Sequence, residues 1–177
     1  MAWEDARLSH TANGVYAAMF MAAAHAASVA GSTPAACADV GASVVPAESR
    51  LAESLRTARD LAGLAWEEAV DELYARYDSY HWVHAINNTA LVAAALHAFE
   101  DHSSAICGVV QGGWDTDTNG AAVGSIVGAA VGVNGIEERW SAPLGERFTS
   151  SLPGFDGITL DELVQRTIAV AGAPATA

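Results

Sequence analysis

Asp115, Asp117 and Thr118 are the residues of this chain best suited to chemistry. They sit in Gln-Gly-Gly-Trp-Asp-Thr-Asp-Thr-Asn-Gly, residues 111–120, just ahead of an apolar run. Two carboxylates spaced i, i+2, with a hydroxyl beside the second, place three hard oxygen donors where a helix begins. Mg²⁺, Mn²⁺ and Ca²⁺ take such ligands. The helix behind them carries Gly120, Gly124, Gly128 and Gly132, which leaves a groove without side chains along one face. A neighbouring helix or a ligand can approach the backbone there.

Three readings of the aspartate motif compete. An EF-hand loop opens with Asp-x-Asp-x-Asn-Gly, but its twelfth position needs a bidentate glutamate and here holds Ile126. An Asp-x-Asp phosphotransferase needs its first aspartate at the end of a buried strand. The preceding segment, 103–110, reads as helix, and Gly112, Gly113 and Trp114 intervene. The plainest reading is a helix N-cap, in which a carboxylate satisfies unpaired N–H groups.

The elements that must position this motif are helical. Residues 15–29 are apolar nearly all round, which predicts a buried helix. Thr33 and Pro34 read as the N-cap and first position of the next. Further helices are expected over 47–62 after Pro46, from Trp66 to the Asp78-Ser79 break, and over 88–99, 103–110 and 118–133. Residues 134–157 are rich in Pro, Gly and Ser and read as loop. Thr-Leu-Asp-Glu, residues 159–162, is a capping box opening a last helix to about residue 170, and 172–177 read as a frayed end. With no repeat and no clear linker, the expectation is one all-α domain over 1–177.

Composition narrows the function. The 177 residues carry a net charge of −13, and no basic stripe is available to neutralise phosphates, which argues against nucleic acid. Cys37 and Cys107 lie in unrelated contexts, which fits a reduced, cytoplasmic protein. The N-terminus opens on charges rather than an apolar signal, and the apolar runs are interrupted or short for a bilayer, so no membrane association is expected.

The stretch Gly-Gly-Trp-Asp-Thr-Asp-Thr-Asn-Gly-Ala-Ala-Val-Gly-Ser-Ile-Val-Gly-Ala, residues 112–129, resembles the C-terminal signature of the ADP-ribosylglycohydrolase family. That family includes the dinitrogenase reductase-activating glycohydrolases. Leu-Ser-His-Thr-Ala-Asn-Gly (8–14) and His-Trp-Val-His-Ala-Ile-Asn-Asn (81–88) are similar to stretches of its bacterial members, in the expected order. The resemblance implies an all-α orthogonal bundle that holds two divalent metals, usually Mg²⁺ or Mn²⁺, and acts on ADP-ribose-containing substrates. It implies that Asp115, Asp117 and Thr118 are metal ligands and that His10 lies near bound ADP-ribose. It also implies that Gly112 and Gly113 let backbone approach the ligand and that Trp114 lines the pocket, although many members lack that tryptophan.

The chain departs from the family in one respect. Members carry a Thr-Asp-Asp-type metal motif and a catalytic acidic residue in an N-terminal half, and no Thr-Asp-Asp occurs here. Two aspartates and one threonine cannot by themselves hold two cations that each prefer about six oxygens. The expectation is therefore a truncated or split C-terminal portion of the fold, the split case implying an N-terminal half encoded separately, with weak metal binding and little activity alone. A non-catalytic ligand-binding or interaction module on the same scaffold is the alternative, followed by a truncated product without independent function. Elsewhere the plainer roles are expected: His84 and Asn87 as helix-start residues, His25 and His97 packed on apolar helices, Asp101 with His102 at a helix junction, and both cysteines structural.

Overall fold

The computed structural model describes residues 1–172, and all but Gly172 of the end expected to fray at 172–177 lies outside the described residues. The described residues are helical without a strand, in two compact units, Met1–Ile136 and the residues from Glu137 on.

The first unit is built round α6 (Ala85–Ala98), whose residues from Ile86 to Leu96 are all buried. Alanines alternate there with Leu91, Val92 and Leu96, so the helix is apolar on every side and must be covered on every side. It is packed by α2 (Asn13–Val29), α3 (Pro34–Ser43), α4 (Arg50–Asp60), α5 (Trp66–Tyr77), α7 (His102–Gln111) and α8 (Thr116–Val131). A short α1 (Ala2–Ala6), not foreseen in the sequence, packs on α2. Phe20 of α2 is fully buried, and its ring occupies the space a side chain at Gly41 of α3 would fill.

The glycine stripe of α8 is a seat for α7. A Cβ at Gly120, Gly124 or Gly128 would meet Val110, Ile106 and His102 respectively, one turn apart in the opposite direction. The groove is thus filled by a neighbouring helix rather than by a ligand. Gly132 ends α8 with φ +71°. Ser28 of α2 donates to the Ile126 carbonyl of α8 at 2.6 Å, and His25 Nε2 meets Ser125 Oγ at 2.7 Å, tying the same pair of helices.

Side-chain caps mark half of the α-helix starts among the described residues. Thr33, Ser49 and Asp101 accept the N–H of Ala36, Ala52 and Ser104 at 3.3, 3.0 and 2.8 Å. The helix expected from residue 47 begins at Arg50 instead, because Ser49 caps there and Pro46 lies in the preceding turn. The helix expected from Asn88 begins at Ala85, because His84 caps it through Ile86 N–H at 3.1 Å.

In the second unit, α9 (Glu138–Ser141) and a turn of 3₁₀ helix, Ala142–Leu144, interrupt what the sequence suggested as loop. Arg147 and Thr159 form an isolated bridge, and Arg147 Nη1 donates to the Gly157 carbonyl at 2.6 Å. Thr159 accepts Glu162 N–H at 3.2 Å and opens α10 (Leu160–Ala171), as the capping box foretold.

Candidate metal and ligand site

The turn from α7 into α8 carries the aspartate motif, and its backbone is strained. Gly113 has φ +79°, and Trp114 follows with φ +54°, a left-handed conformation rarely adopted by a residue with a bulky side chain. The Trp114 ring stacks on Tyr74 of α5, centroids 4.4 Å apart, and that packing holds the turn. Its indole N–H is buried with no hydrogen-bond partner among the described residues. At Gly112 the missing side chain makes room for Leu91, and at Gly113 for the Tyr74 hydroxyl. Both glycines thus accommodate protein groups from α6 and α5.

Asp115 is the N-cap residue of α8, yet its side chain makes no capping bond. Its backbone N–H goes instead to Asn88 Oδ1 of α6 at 3.1 Å. Asn88 is buried and fully used: Oδ1 also accepts Asn119 Nδ2 at 2.7 Å, and Nδ2 donates to the carbonyls of Trp82 and His84 at 2.7 and 2.9 Å. One amide therefore fixes the 81–84 turn, the start of α6 and the start of α8 together. The backbone N–H of Asp115 can only donate, so Oδ1 must face it.

Asp115 and Thr118 line one small cavity of about 220 Å³ with Asn88, Thr89 and Met21. They are three residues apart and share a helix face. Asp117, two residues from Asp115, is exposed and does not line that cavity, as positions two apart on a helix do not face each other.

His10 lies in a second cleft of about 640 Å³, lined also by Asn13, Arg50, His81 and His84. Val83 and Ala85 line both cavities, so the two are neighbours on one surface. Ala12, the N-cap of α2, has φ +44° at the cleft wall. It and Trp114 are the non-glycine residues with left-handed φ among the described residues; Ala12 lines the cleft, whereas Trp114 packs on Tyr74 and lines neither cavity. His10 packs over Gly14, and its Nδ1 lies 2.8 Å from Ser9 Oγ. Burial, helped by the charge of Arg50, pushes the His84 imidazole below its ordinary pKa. Its Nδ1 accepts the Ile86 N–H, so the neutral ring carries its proton on Nε2.

The electrostatics of the cleft are anion-seeking. The first residues of α2, α4 and α6 (Asn13, Arg50 and Ala85) all line it, and no carboxylate does. Helix N-termini carry partial positive charge that favours phosphate, although Leu51 and Ala52 N–H of α4 already go to Asn13 Oδ1 and Ser49 Oγ, and Ile86 N–H of α6 to His84 Nδ1. Next to it, Asp115 stands at a fourth N-terminus with a carboxylate not committed to capping.

The donor set fits part of the shell of a hard cation. Asp115 and Thr118 bring oxygen donors to one cavity, whereas the Asp117 carboxylate lies outside it. No group of three or more His, Cys, Asp or Glu side chains converges among the described residues, so this set falls short of two cations. Of the residues singled out in the sequence, Asp115 and Thr118 line one cavity and His10 the neighbouring cleft. Asn88 and Asn119, which form the clamp, and Arg50 and His81, which line the cleft, are not among those residues. Arg50 carried no signal, because only the fold brings α4 beside residues 9–14.

A family model described as ADP-ribosylglycohydrolase matches residues 1–175. No curated protein matches the chain, and no solved structure does. Among the described residues no helix is long and apolar enough to cross a membrane.

Proposed function

The chain belongs to the ADP-ribosylglycohydrolase family of hydrolases, and from that premise we propose that its joined cavities bind an ADP-ribosyl group carried on a protein side chain or a small conjugate. The observation that carries the reading is the meeting of helix N-termini from α2, α4 and α6 in a carboxylate-free cleft beside Asp115 and Thr118. The diphosphate suits the positive helix ends and Arg50, with His10 against the ligand. The ribose then falls towards Asp115.

Asp115 and Thr118 would hold a divalent cation, Mg²⁺ or Mn²⁺, with the exposed Asp117 reaching it only through water. Such a cation supplies polarisation of ribose hydroxyls and of a water during hydrolysis at the anomeric carbon, through an oxocarbenium-like transition state. Asn88 keeps Asp115 in place by holding its N–H, and His84 offers Nε2–H as a neutral donor at the cleft wall. Trp114 keeps the turn closed over Tyr74.

Two cations need more oxygens than these three residues own. Further acidic donors, with the catalytic acid or base among them, would come from outside the described residues, such as a separately encoded half of the fold. The chain by itself is then a binding module with little hydrolytic activity. Release of ADP-ribose from ADP-ribosylated arginine, followed with Mn²⁺ present, tests this. Background rates from a folded chain that still binds ADP-ribose are expected. Steady turnover would show that no further donors are required, and no binding at all would remove the ligand assignment.

A further inference from the structure

A third cavity lies between α3, α4 and α6, on the far stretch of α6 from Asn88. Its lining from α6 is Ala93 and His97, whereas Ala85 and Asn88 line the cavities described above. Nine residues of helix, about 13 Å at 1.5 Å per residue, separate Asn88 from His97. The volume is about 370 Å³, within the range of small-molecule sites. The floor is apolar and made of short side chains: Ala38, Ala52, Leu55 and Ala93 are buried there, and Ala42 is half-buried. The cavity exists because alanines stand where three helices meet.

The rim reverses the charge of the chain. The whole sequence has 21 acidic and 8 basic residues, yet this cavity is lined by Arg56 and Arg59 against the single carboxylate of Asp39. Asp39 Oδ1 lies 3.5 Å from Arg59 Nη1 and 3.9 Å from His97 Nε2. Arg56 Nη1 donates to the Ala47 carbonyl at 3.0 Å. Each guanidinium has five N–H donors, so most of both forks remain for a ligand. The His97 side chain is only 9% exposed, and burial holds its imidazole below the ordinary pKa although Asp39 pulls the other way. With His97 neutral, two cations face one anion. An exposed ion pair contributes little stability, so pairing with Asp39 does not explain why both arginines line an apolar cavity.

We propose that this cavity binds a small organic monocarboxylate, with its hydrocarbon body on the alanine floor and its carboxylate between Arg56 and Arg59. A dianion such as a phosphate monoester is disfavoured, because Asp39 repels the second charge. Neutral ligands of the same shape lack a partner for the arginines.

The test is a ¹H–¹⁵N NMR titration of the whole chain with 1-naphthoate. Saturable shifts centred on Ala42, Ala93 and His97 are expected. The neutral analogue 1-naphthalenemethanol and the dianion 1-naphthyl phosphate should each bind at least tenfold more weakly. Arg59→Gln, at an exposed residue, should weaken naphthoate tenfold or more with an unchanged thermal midpoint. Ala42→Phe, which fills the cavity, should abolish binding, and Asp115→Ala should leave it intact. Equal affinity for acid and alcohol, tighter binding of the phosphate, or shifts that do not saturate would each overturn the proposal. If Ala42→Phe fails to fold, Arg59→Gln decides: wild-type affinity in that variant overturns it.

Discussion

Asn88→Ala should be among the most disruptive single changes at the site, though Asn88 carries no charge. Its four hydrogen bonds link the 81–84 turn, α6 and α8. Removing it strands the buried Asn119 amide, which costs about 1–3 kcal/mol as an unsatisfied buried donor. The Asp115 N–H loses its acceptor at a partly buried helix end, about 1 kcal/mol more. The Trp82 and His84 carbonyls belong to exposed and half-exposed residues, so water replaces most of what they lose. The total is about 3 kcal/mol, or a fall in Tm of about 12 °C at roughly 4 °C per kcal/mol for a unit of this size. Chemical denaturation monitored by circular dichroism measures it. Adding Asn119→Ala removes the stranded donor, so the double variant should be less destabilised than the sum of the singles by about 1 kcal/mol. A loss below about 1 kcal/mol for Asn88→Ala, or strict additivity, would refute the clamp.

Gly108→Ala should destabilise by about 1–3 kcal/mol through overpacking, because its Cβ would press on the Phe99 ring; urea titration reads the loss. Acid should weaken the fold through His97 and His84, whose pKa values burial lowers. The unfolded chain binds protons that the folded one refuses, so this stability is complete above the ordinary imidazole value of about 6.5 and is lost as pH falls from there through the lowered folded values. Stability curves between pH 8 and pH 5 should show that decline, and His97→Gln should flatten it. Thiol reagents should modify exposed Cys107 quickly and buried Cys37, whose pKa burial raises, only on unfolding; mass spectrometry of the labelled peptides separates the two.

Local signals carried the fold well. Thr33 before Pro34 and Thr159 before Glu162 announced caps that the structure contains, because such bonds depend on residues three apart. Periodicity recovered the centres of α2, α5, α7, α8 and α10 for the same reason. The start of α6 was missed because Asn87 and Asn88 read as polar flank, while tertiary contacts bury both inside the helix. At the site, Asp115 and Thr118 were legible from spacing, but the separation of Asp117 from their cavity follows from the helix phase set at Asp115. Arg50 reaches the cleft, and Asn88 reaches Asp115, across long stretches of chain, and nothing local marks such convergence.

The most direct measurement is isothermal titration of ADP-ribose into the folded chain, with and without Mn²⁺, for the native sequence and for Asp115→Ala. Saturable binding that Mn²⁺ tightens in the native chain, with the Mn²⁺ effect lost in Asp115→Ala, is the predicted result. Equal affinity in both chains, indifferent to Mn²⁺, would contradict the assignment of this surface as a metal-assisted ADP-ribosyl site.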